Sequence, residues 1–494
     1  ASSTGGSLVS FGGSGANENA YYINGFNTTD PLKSEGGLTL PYGSIDQEEA
    51  YTGGYSAQYG RSDGGVLNMV GKRGTNEWHV GGRASWEPAS LRSSARNFYY
   101  ENGQPNPPLA TGTLYSPREK NEYWITTYDA YVGGPLVKDK LFFFASAEMS
   151  RQQGSSLGTV TSASPYQTYK YRMPKWYAKL DWNINDSNIV ELTGASNKRA
   201  YQADLYRYDF QHMVPGRYVG HADSTKNGGD LWTGKYTGYL TESLTLTAQY
   251  GKMKTRAFQQ PVGYDPNLTY ISGITAQNPA IVGGTPRFNN QTTTSLYDPD
   301  RGNSVTNLRV SLEYKLGDHT LTAGIDNLTA EALNQGRVTS GPGYSWTYGH
   351  SDHPTAPLDP GLGVGPTAGF ANGADGYYVM KNVNSQLANV KTVEHAQYIE
   401  DNWQFNDRLL LSLGLRNDQF TNYNANAQPY IKQTAQWAPR LGFAWDVNGD
   451  SSFKVFGNVG RYYLASPLEP ALSAAGAQTS TTQYFTYSGI NPDG

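Results

Sequence analysis

Several stretches of the chain alternate apolar and polar residues with a period of two. The clearest is 308–316, where every even position from Leu308 to Leu316 is apolar and every odd one is polar. The same period recurs at 175–182, 244–250 and 437–446. Because successive side chains of a strand point to opposite faces, each stretch predicts a strand with one apolar and one polar face.

From position 78 onward, about thirteen strand candidates can be distinguished, and the last twelve pair into six hairpins with short turns. They lie near 78–87, 121–134, 138–151, 172–184, 187–202, 229–240, 244–259, 304–316, 320–335, 390–405, 408–422, 435–447 and 451–464. The longest segments between hairpins are 88–120, 203–228, 260–303 and 336–389. Short turns on one side and long loops on the other are typical of a transmembrane β-barrel. The pattern therefore predicts an all-β fold, a transmembrane antiparallel barrel.

Residues 1–77 are rich in glycine and lack this long alternation, so they are interpreted as a small separate domain. Bacterial single-chain barrels have an even number of strands. Thirteen strands would leave an open edge, whose unpaired backbone groups are costly in lipid. We therefore expect the chain to be a fragment of a longer protein.

Composition supports a barrel and excludes other classes. Charged residues make up 16% of the 494 residues, below the roughly 25% of soluble domains, yet the mean hydropathy is −0.60. No apolar run approaches the 18 or so residues of a membrane-spanning helix, and cysteine is absent. A net charge of −4 argues against a nucleic-acid partner, which usually requires a basic face. No phosphate-binding loop, dinucleotide fingerprint or nucleophile elbow is present, so we expect no cofactor and no enzyme.

Several motifs match one known family. They are AYYINGFNTTDP (20–31), GYSAQYGRSDGG (54–65) followed by VLNMV (66–70) and GTNEW (74–78), YVGGPLVKDKLFFF (131–144), and APRLGFAW (438–445) with GRYY (460–463). These motifs resemble parts of the TonB-dependent outer-membrane receptors. In the order given, the parts are a strand and loop of the plug, the passage from the plug into the first barrel strand, the first periplasmic turn and a later hairpin. The resemblance is to the Oar-like subgroup, whose members carry an N-terminal carboxypeptidase-regulatory-like domain.

The resemblance implies a domain organisation and a set of partners. Residues 1–77 would be the C-terminal part of the plug, and 78–494 the N-terminal part of the barrel, with about 13 of its 22 strands. Outer-membrane lipid would surround the barrel, and the TonB–ExbB–ExbD complex would deliver energy through an N-terminal segment missing here. A surface lipoprotein could sit on the long loops. The substrate would be bulky: an oligopeptide, an oligosaccharide or a metal chelate.

Two sets of residues are candidates for function. Polar side chains would hold the plug in the barrel through solvated contacts of about 0–1 kcal/mol each; they are Arg61 and Asp63 of the plug and Lys179, Asp181, Arg309, Glu313 and Lys315 of the barrel. Aromatic side chains in or beside the long loops could bind substrate; they are Tyr201, Tyr206, Tyr208, Trp346 and Tyr348. The alternative for the aromatic set is packing within the loops or a girdle at the membrane interface.

Two further clusters have simpler interpretations. His350, Asp352 and His353 could hold a divalent ion, but a polar loop explains them equally well, and we expect no metal. Asp298, Asp300 and Asn303 vaguely resemble a calcium-binding loop, but the glutamate that would complete it is absent, so a turn is favoured.

Three functions remain open at this stage. The favoured one is plug-gated active uptake across the outer membrane. The first alternative is export or surface assembly of a protein through the same barrel. The second is a secreted β-rich adhesin or glycan-binding protein, which would tolerate a charge on the predicted lipid face.

Overall fold

The computed structural model describes residues 9–100, 104–105, 108–109, 111–162, 165–358 and 375–494. These residues form twenty-eight strands, two α-helices and five 3₁₀ helices. In chain order the strands are β1 (Ala20–Ile23), β2 (Phe26–Asn27), β3 (Ile45–Tyr51), β4 (Val66–Gly71), β5 (His79–Glu87), β6 (Phe98–Tyr99), β7 (Gln104–Pro105), β8 (Pro108–Leu109), β9 (Leu114–Ser116), β10 (Glu122–Val137), β11 (Leu141–Leu157), β12 (Tyr166–Asn185), β13 (Asn188–Asp209), β14 (Val214–His221), β15 (Ser224–Tyr239), β16 (Leu244–Gln260), β17 (Tyr270–Ser272), β18 (Ser295–Tyr297), β19 (Gly302–Leu316), β20 (His319–Gln335), β21 (Arg337–Thr339), β22 (Ser345–His350), β23 (Tyr377–Ser385), β24 (Ala388–Asn406), β25 (Leu409–Tyr423), β26 (Pro429–Asp446), β27 (Lys454–Gly460) and β28 (Thr479–Phe485). The α-helices are α1 (Pro279–Val282) and α2 (Leu468–Ala475), and the 3₁₀ helices are Ala16–Glu18, Tyr42–Ser44, Ala89–Leu91, Arg118–Lys120 and Ile274–Ala276.

The chain divides into two compact units. The first comprises Ala1–Ala257, Gly302–Leu333 and Val390–Ala475, and the second Phe258–Arg301, Asn334–Asn389 and Gly476–Gly494. In the described part of the chain, no helix has both the length and the apolar character needed to span a membrane.

The main sheet contains the thirteen predicted strands. Its order is β27-β26-β25-β24-β20-β19-β16-β15-β13-β12-β11-β10-β5, with β14 paired to β13 beside this path. Strand pairs of this sheet, such as β10–β11 and β19–β20, are antiparallel. The hairpin turns are short: β19 and β20 are joined through Leu316 and His319, which are register partners. Gly317 in that turn has φ +59, a left-handed conformation that glycine adopts without steric cost. The predicted fold class, a partial antiparallel barrel, is confirmed.

The two faces of the sheet differ as the alternation predicts. Leu308, Leu312 and Leu316 of β19 are exposed on the outer face, and so are many other large apolar side chains. Arg309, one position along, points the other way and donates a hydrogen bond to the carbonyl oxygen of Gly25 in the N-terminal segment. A soluble protein rarely exposes so continuous an apolar surface, whereas a barrel presents such a surface to lipid.

The N-terminal segment forms a small domain against the inner face of the sheet. Its four strands run in the order β2-β1-β4-β3, with β1 and β4 parallel. Tyr22, Ile23 and Phe26 are almost completely buried. A core cluster joins this domain to the sheet, where Leu38 packs among Leu231, Met253 and other inward side chains. We call residues 9–71 the plug, since its last strand ends at Gly71 and the first strand of the main sheet begins at His79.

The second unit has its own sheet, in the order β17-β22-β23-β21-β18, with β28 paired to β23. Its core contains Tyr348, Val379 and Ile490. The long loops predicted at 260–303 and 336–389 therefore carry regular structure of their own in their described residues.

Candidate functional site: the interface between plug and barrel

The plug loop 54–61 lies in the connection between β3 and β4 and ends on Arg61, whose side chain is buried. Arg61 Nη1 donates to Asp326 Oδ2 of β20 at 2.5 Å, and Nη2 donates to the Asp326 carbonyl oxygen at 3.0 Å. Arg61 Nε donates to Glu394 of β24. The backbone of Arg61 is left-handed, with φ +61, an uncommon conformation that persists only where surrounding contacts impose it.

Further charged side chains of the sheet complete a buried cluster around Arg61. Arg416 of β25 lies with Nη2 3.1 Å from Asp326 Oδ2 and donates from Nε to Asp418 Oδ1 at 2.8 Å. Arg309 Nε lies 3.9 Å from Asp326 Oδ1. We call these six residues the charge cluster; they are Arg61, Arg309, Asp326, Glu394, Arg416 and Asp418.

The charge cluster is balanced, with three arginines facing three carboxylates. Burial alone would lower the pKa of Arg61, but the carboxylates of Asp326 and Glu394 raise that pKa well above its usual value. Arg61 therefore stays charged in the folded protein. Leaving a charge uncompensated at such depth is costly, so the plug cannot leave the barrel wall here without either exchanging partners or admitting water.

Arginines of the sheet also bind the plug backbone directly. Arg440 Nη1 donates to the carbonyl oxygens of Tyr55, Ser56 and Tyr59 at 3.2, 2.7 and 2.7 Å. Glu400 Oε2 accepts a hydrogen bond of 2.5 Å from the backbone N–H of Ala57. An irregular loop has no ladder to satisfy its backbone groups, so buried side chains must do so. The barrel thus supplies the bonds that the plug loop cannot make internally.

Arg309 and Arg416 extend the same arrangement. Arg309 donates to the carbonyl oxygens of Gly25 at 2.6 Å and Gln58 at 3.1 Å. Arg416 Nη1 donates to the carbonyl oxygen of Ala57 at 3.2 Å. These two side chains therefore belong both to the charge cluster and to the set that holds the plug backbone.

Between plug and sheet lies a polar cavity of about 610 Å³. The plug side includes Asn24, Gln58 and Asn68, and the sheet side includes charged residues near the short turns. Those charged residues are Lys179, Glu191, Lys235, Arg309, Glu313 and Glu400. A cavity of this size and polarity can hold water, which would lower the cost of breaking plug contacts.

The predicted plug–barrel residues lie in several different environments in the structure. Arg61 and Arg309 bridge plug and barrel, as described above. Lys179 lies in the barrel wall, 3.3 Å from Asp181 and 2.6 Å from Glu191. Glu313 lines the polar cavity, whereas Lys315 is exposed near the turn.

Asp63 lies apart from the barrel contacts described here. Its side chain is exposed, and its backbone N–H donates to the Glu18 carbonyl oxygen at 3.3 Å, within the plug. Burial raises the pKa of Asp63, and the charge of Glu18 adds to this effect. These observations place Asp63 within the plug's own network.

Sequence reasoning did not single out the most buried members of the site. Asp326, Glu394, Glu400, Arg416 and Arg440 are not among the candidates that the sequence offers. Their one sequence signal is position: each lies on the polar face of its strand. That signal is shared by every lumen-facing residue and does not show which ones meet the plug.

Three of the candidate substrate aromatics pack with other tyrosines on β12 to β14. The Tyr201 ring lies 4.8 Å from Tyr171, and its hydroxyl donates to Gln167 Oε1 at 3.1 Å. The rings of Tyr206 and Tyr208 lie 5.8 and 5.7 Å from Tyr166. The tyrosines thus form two ring clusters within the extended hairpin, one around Tyr171 and Tyr201 and the other around Tyr166.

The other two candidate aromatics belong to the second unit. Tyr348 is buried, and its hydroxyl donates to the Gly494 carbonyl oxygen at 2.8 Å. Burial raises the pKa of Tyr348 to about 12. Trp346 packs edge-on against Tyr344 and Phe485. Both side chains therefore take part in packing of this unit.

The histidine cluster lies at the end of β22. His350 Nδ1 is 3.3 Å from Asp352 Oδ1. Among the residues that the structure describes, no group of three or more histidine or acidic side chains is arranged to hold a metal ion.

A family model described as "Outer membrane beta barrel domain" matches residues 162–431, more than half of the chain. The chain belongs to this family of outer-membrane β-barrels. It is also 25% identical to the TonB-dependent transporter Oar of Myxococcus xanthus, over 93% of this chain and 48% of that protein. These matches confirm the resemblance to Oar-like TonB-dependent receptors and the location in the bacterial outer membrane.

Solved structures show the same fold. The outer membrane transporter YddB from Escherichia coli superposes with a TM-score of 0.58 at 15% identity, covering 93% of this chain and 55% of that one. The siderophore receptor PirA from Acinetobacter baumannii gives 0.52 at 16% identity, covering 92% of this chain and 54% of that one. The chain thus spans about half the length of the relatives that it matches.

Proposed function

We propose that the whole protein is an active transporter of the outer membrane, in which the plug gates the barrel and the TonB–ExbB–ExbD complex drives uptake of a bulky substrate. The observation that carries this proposal is the way the plug is held. Loop 54–61 is bound through ion pairs and side-chain bonds to its backbone, and a polar cavity adjoins them. Water can replace such contacts, so energy delivered to the plug could release them without unfolding the barrel.

The substrate class is proposed on size. A barrel wide enough to enclose a four-stranded plug is wider than a small solute requires. An oligopeptide, an oligosaccharide or a metal chelate would suit this width. The second unit, which contains Trp346 and Tyr348 in its core, is the part that we propose to meet the substrate or a surface lipoprotein.

An engineered disulfide between plug and barrel tests gating in the full-length protein. A Cβ built on Gly414 of β25 would lie 3.2 Å from the Cβ of Ala57, close to the 3.5–4.5 Å separation typical of disulfides. The pair Ala57→Cys with Gly414→Cys would therefore tie loop 54–61 to the wall. The described chain contributes no other thiol, since cysteine is absent.

The readout is the depletion of components from the growth medium by the native bacterium. Only those components count whose depletion requires this protein. Oxidised cells should lose that depletion, reduction should restore it, and each single cysteine variant should behave as the unmodified protein. A strain without energy coupling should match the oxidised state. Unchanged depletion with the disulfide formed would refute plug gating.

The same strains separate uptake from export. Export predicts a protein that accumulates inside the cell when the plug is locked, with no change in the medium components consumed. The secreted adhesin alternative is set aside, because family membership places the chain in the outer membrane.

A further inference from the structure

The outward face of β11, β12 and β16 carries a group of cations that plug gating does not use. We call this group the basic patch; it consists of Arg151, Lys170, Arg172, Lys252, Lys254 and Arg256. All six are exposed. They lie on the lipid side, because residues of the opposite parity on the same strands are buried against the interior: Ser150 of β11, Tyr177 of β12, and Met253 and Thr255 of β16. These three strands therefore carry six positive charges on the face that meets lipid.

The patch contains a repulsive contact. Arg151 of β11 and Arg172 of β12 are register partners, so their side chains project side by side from the same face. Like charges directly opposite each other destabilise a sheet. Among the described residues, neither guanidinium lies within ion-pair distance of a carboxylate, whereas nearby Lys198 lies 3.2 Å from Asp230. An external anion would relieve this repulsion.

Position along the strands places the patch at the outer membrane surface. Arg151 lies about ten residues from the turn end of β11, and Arg172 about thirteen from the turn end of β12. Lys254 and Arg256 lie about ten and twelve residues from the start of β16. About 9–11 tilted residues cross the hydrocarbon core. Arg151, Lys170, Arg172, Lys254 and Arg256 therefore lie at or beyond the hydrocarbon boundary, at the level of lipid headgroups. Lys252 lies about eight residues from the start of β16, and its long side chain can extend toward that level.

An apolar groove of about 570 Å³ lies on the same face, nearer the turns. Small residues form its floor; they are Ala145, Ala178, Gly194 and Gly234. Large apolar side chains form its walls; they are Phe143, Leu180, Leu192, Trp232 and Tyr250. Lys252 of the basic patch lies at its rim. The groove thus joins a site for a hydrocarbon chain to a site for anions.

We propose that this face binds a phosphorylated lipid of the outer leaflet, with an acyl chain in the groove and phosphate groups on the basic patch. The depth of the groove favours a lipid over a soluble partner, because lipid tails are the medium at that depth. The phosphates supply the anions that Arg151 and Arg172 lack. This site concerns the outer surface of the barrel and holds whether or not the plug gates transport.

Binding of lipid A to the full-length protein tests the proposal. The protein, purified in a non-ionic detergent, would be titrated with lipid A carrying two phosphates and, in parallel, with chemically dephosphorylated lipid A. Arg151→Gln with Arg172→Gln should weaken binding of the phosphorylated form by roughly 30-fold, since each surface cation contributes roughly a fivefold factor. The dephosphorylated form should bind weakly to both proteins.

Matched variants separate this site from general charge effects. Lys138→Gln with Lys140→Gln removes two exposed cations at the turn between β10 and β11 and should leave lipid A affinity unchanged. Gly234→Val fills the groove without a clash, because an added Cβ would lie 3.5 Å from Leu192 Cδ2, and it should lower affinity severalfold. Heat-modifiable migration on gels would confirm that each variant forms a barrel.

Three outcomes would overturn the proposal. If the Arg151/Arg172 and Lys138/Lys140 double variants lose affinity equally, the loss would come from the change in net charge and not from this site. Undiminished binding in Gly234→Val would show that no acyl chain occupies the groove. Competition by inorganic phosphate alone, at concentrations matching the lipid, would mean that an ion rather than a lipid is recognised.

Discussion

Replacing Arg61 with glutamine should release the plug from the barrel wall more than any single change at an exposed contact. Arg61 makes three polar contacts, with Asp326 twice and with Glu394 once. Its partners are buried, with side-chain exposures of 1% for Asp326 and 7% for Glu394. Removing one member of such a pair typically costs about 3–5 kcal/mol, because the remaining charge stays buried without compensation.

Most of the free energy lost in the Arg61→Gln variant should come from Glu394, whose charge is left buried. Asp326 keeps Arg416 at 3.1 Å and a hydrogen bond of 3.0 Å from Asn307 Nδ2. Within the described residues, the ion pair of Glu394 is with Arg61 alone. The double variant Arg61→Gln with Glu394→Gln should therefore be less destabilised than the Arg61 variant. We expect about 3 kcal/mol for Arg61→Gln and about half of that for the double variant.

Hydrogen exchange of the β4 amides in the full-length protein measures the free energy of plug opening. A loss of 3 kcal/mol accelerates exchange roughly 150-fold. The control is Lys33→Gln, which breaks the exposed 3.5 Å pair with Glu469, where the two side chains are 47% and 52% exposed; this should cost less than about 1 kcal/mol. Exchange rates within threefold of each other for Arg61→Gln and Lys33→Gln would refute the reasoning.

Three further perturbations test other parts of the structure. Leu312→Arg places a charge on the lipid face of β19 and should cost about 2–4 kcal/mol, whereas Glu313→Gln in the lumen should be mild; equal assembly of both variants in the outer membrane would contradict the orientation of the sheet. Arg440→Gln removes a donor to three carbonyl oxygens of loop 54–61 and should increase protease cleavage in that loop while heat-modifiable migration of the barrel is retained; no change in cleavage would show that the loop does not depend on Arg440. Burial raises the pKa of Tyr348 to about 12, above the usual value of about 10. The contribution of this neutral hydroxyl to stability is therefore fully present below pH 10 and is lost as the pH rises towards 12. An absorbance titration of the full-length protein against its Tyr348→Phe variant checks this, and a difference that titrates near pH 10 would show a solvated ring.

The strands and their faces were readable from the sequence because they depend on local rules. The alternation at 308–316 predicts the exposed leucines and the inward Arg309, since the side-chain period of a strand is fixed by its backbone. Short turns such as Gly317-Asp318 fix the register of each hairpin in the same local way. The thirteen strand candidates therefore match the thirteen strands along the path of the main sheet, whereas β14, which pairs beside that path, lies in the predicted loop 203–228.

The choice of contacts within the lumen was decided by tertiary structure. Arg309 and Lys315 lie on the same face of one strand, yet Arg309 binds the plug and Lys315 is exposed near the turn. Asp326, Glu394 and Arg416 come from three strands and meet Arg61 only because strand stagger brings them to one level against loop 54–61. The second unit likewise combines three segments separated by barrel strands. Sequence periodicity fixes the face of the sheet to which a side chain points. The partner of that side chain depends on how the sheet curves around the plug, and no local sequence pattern determines this curvature.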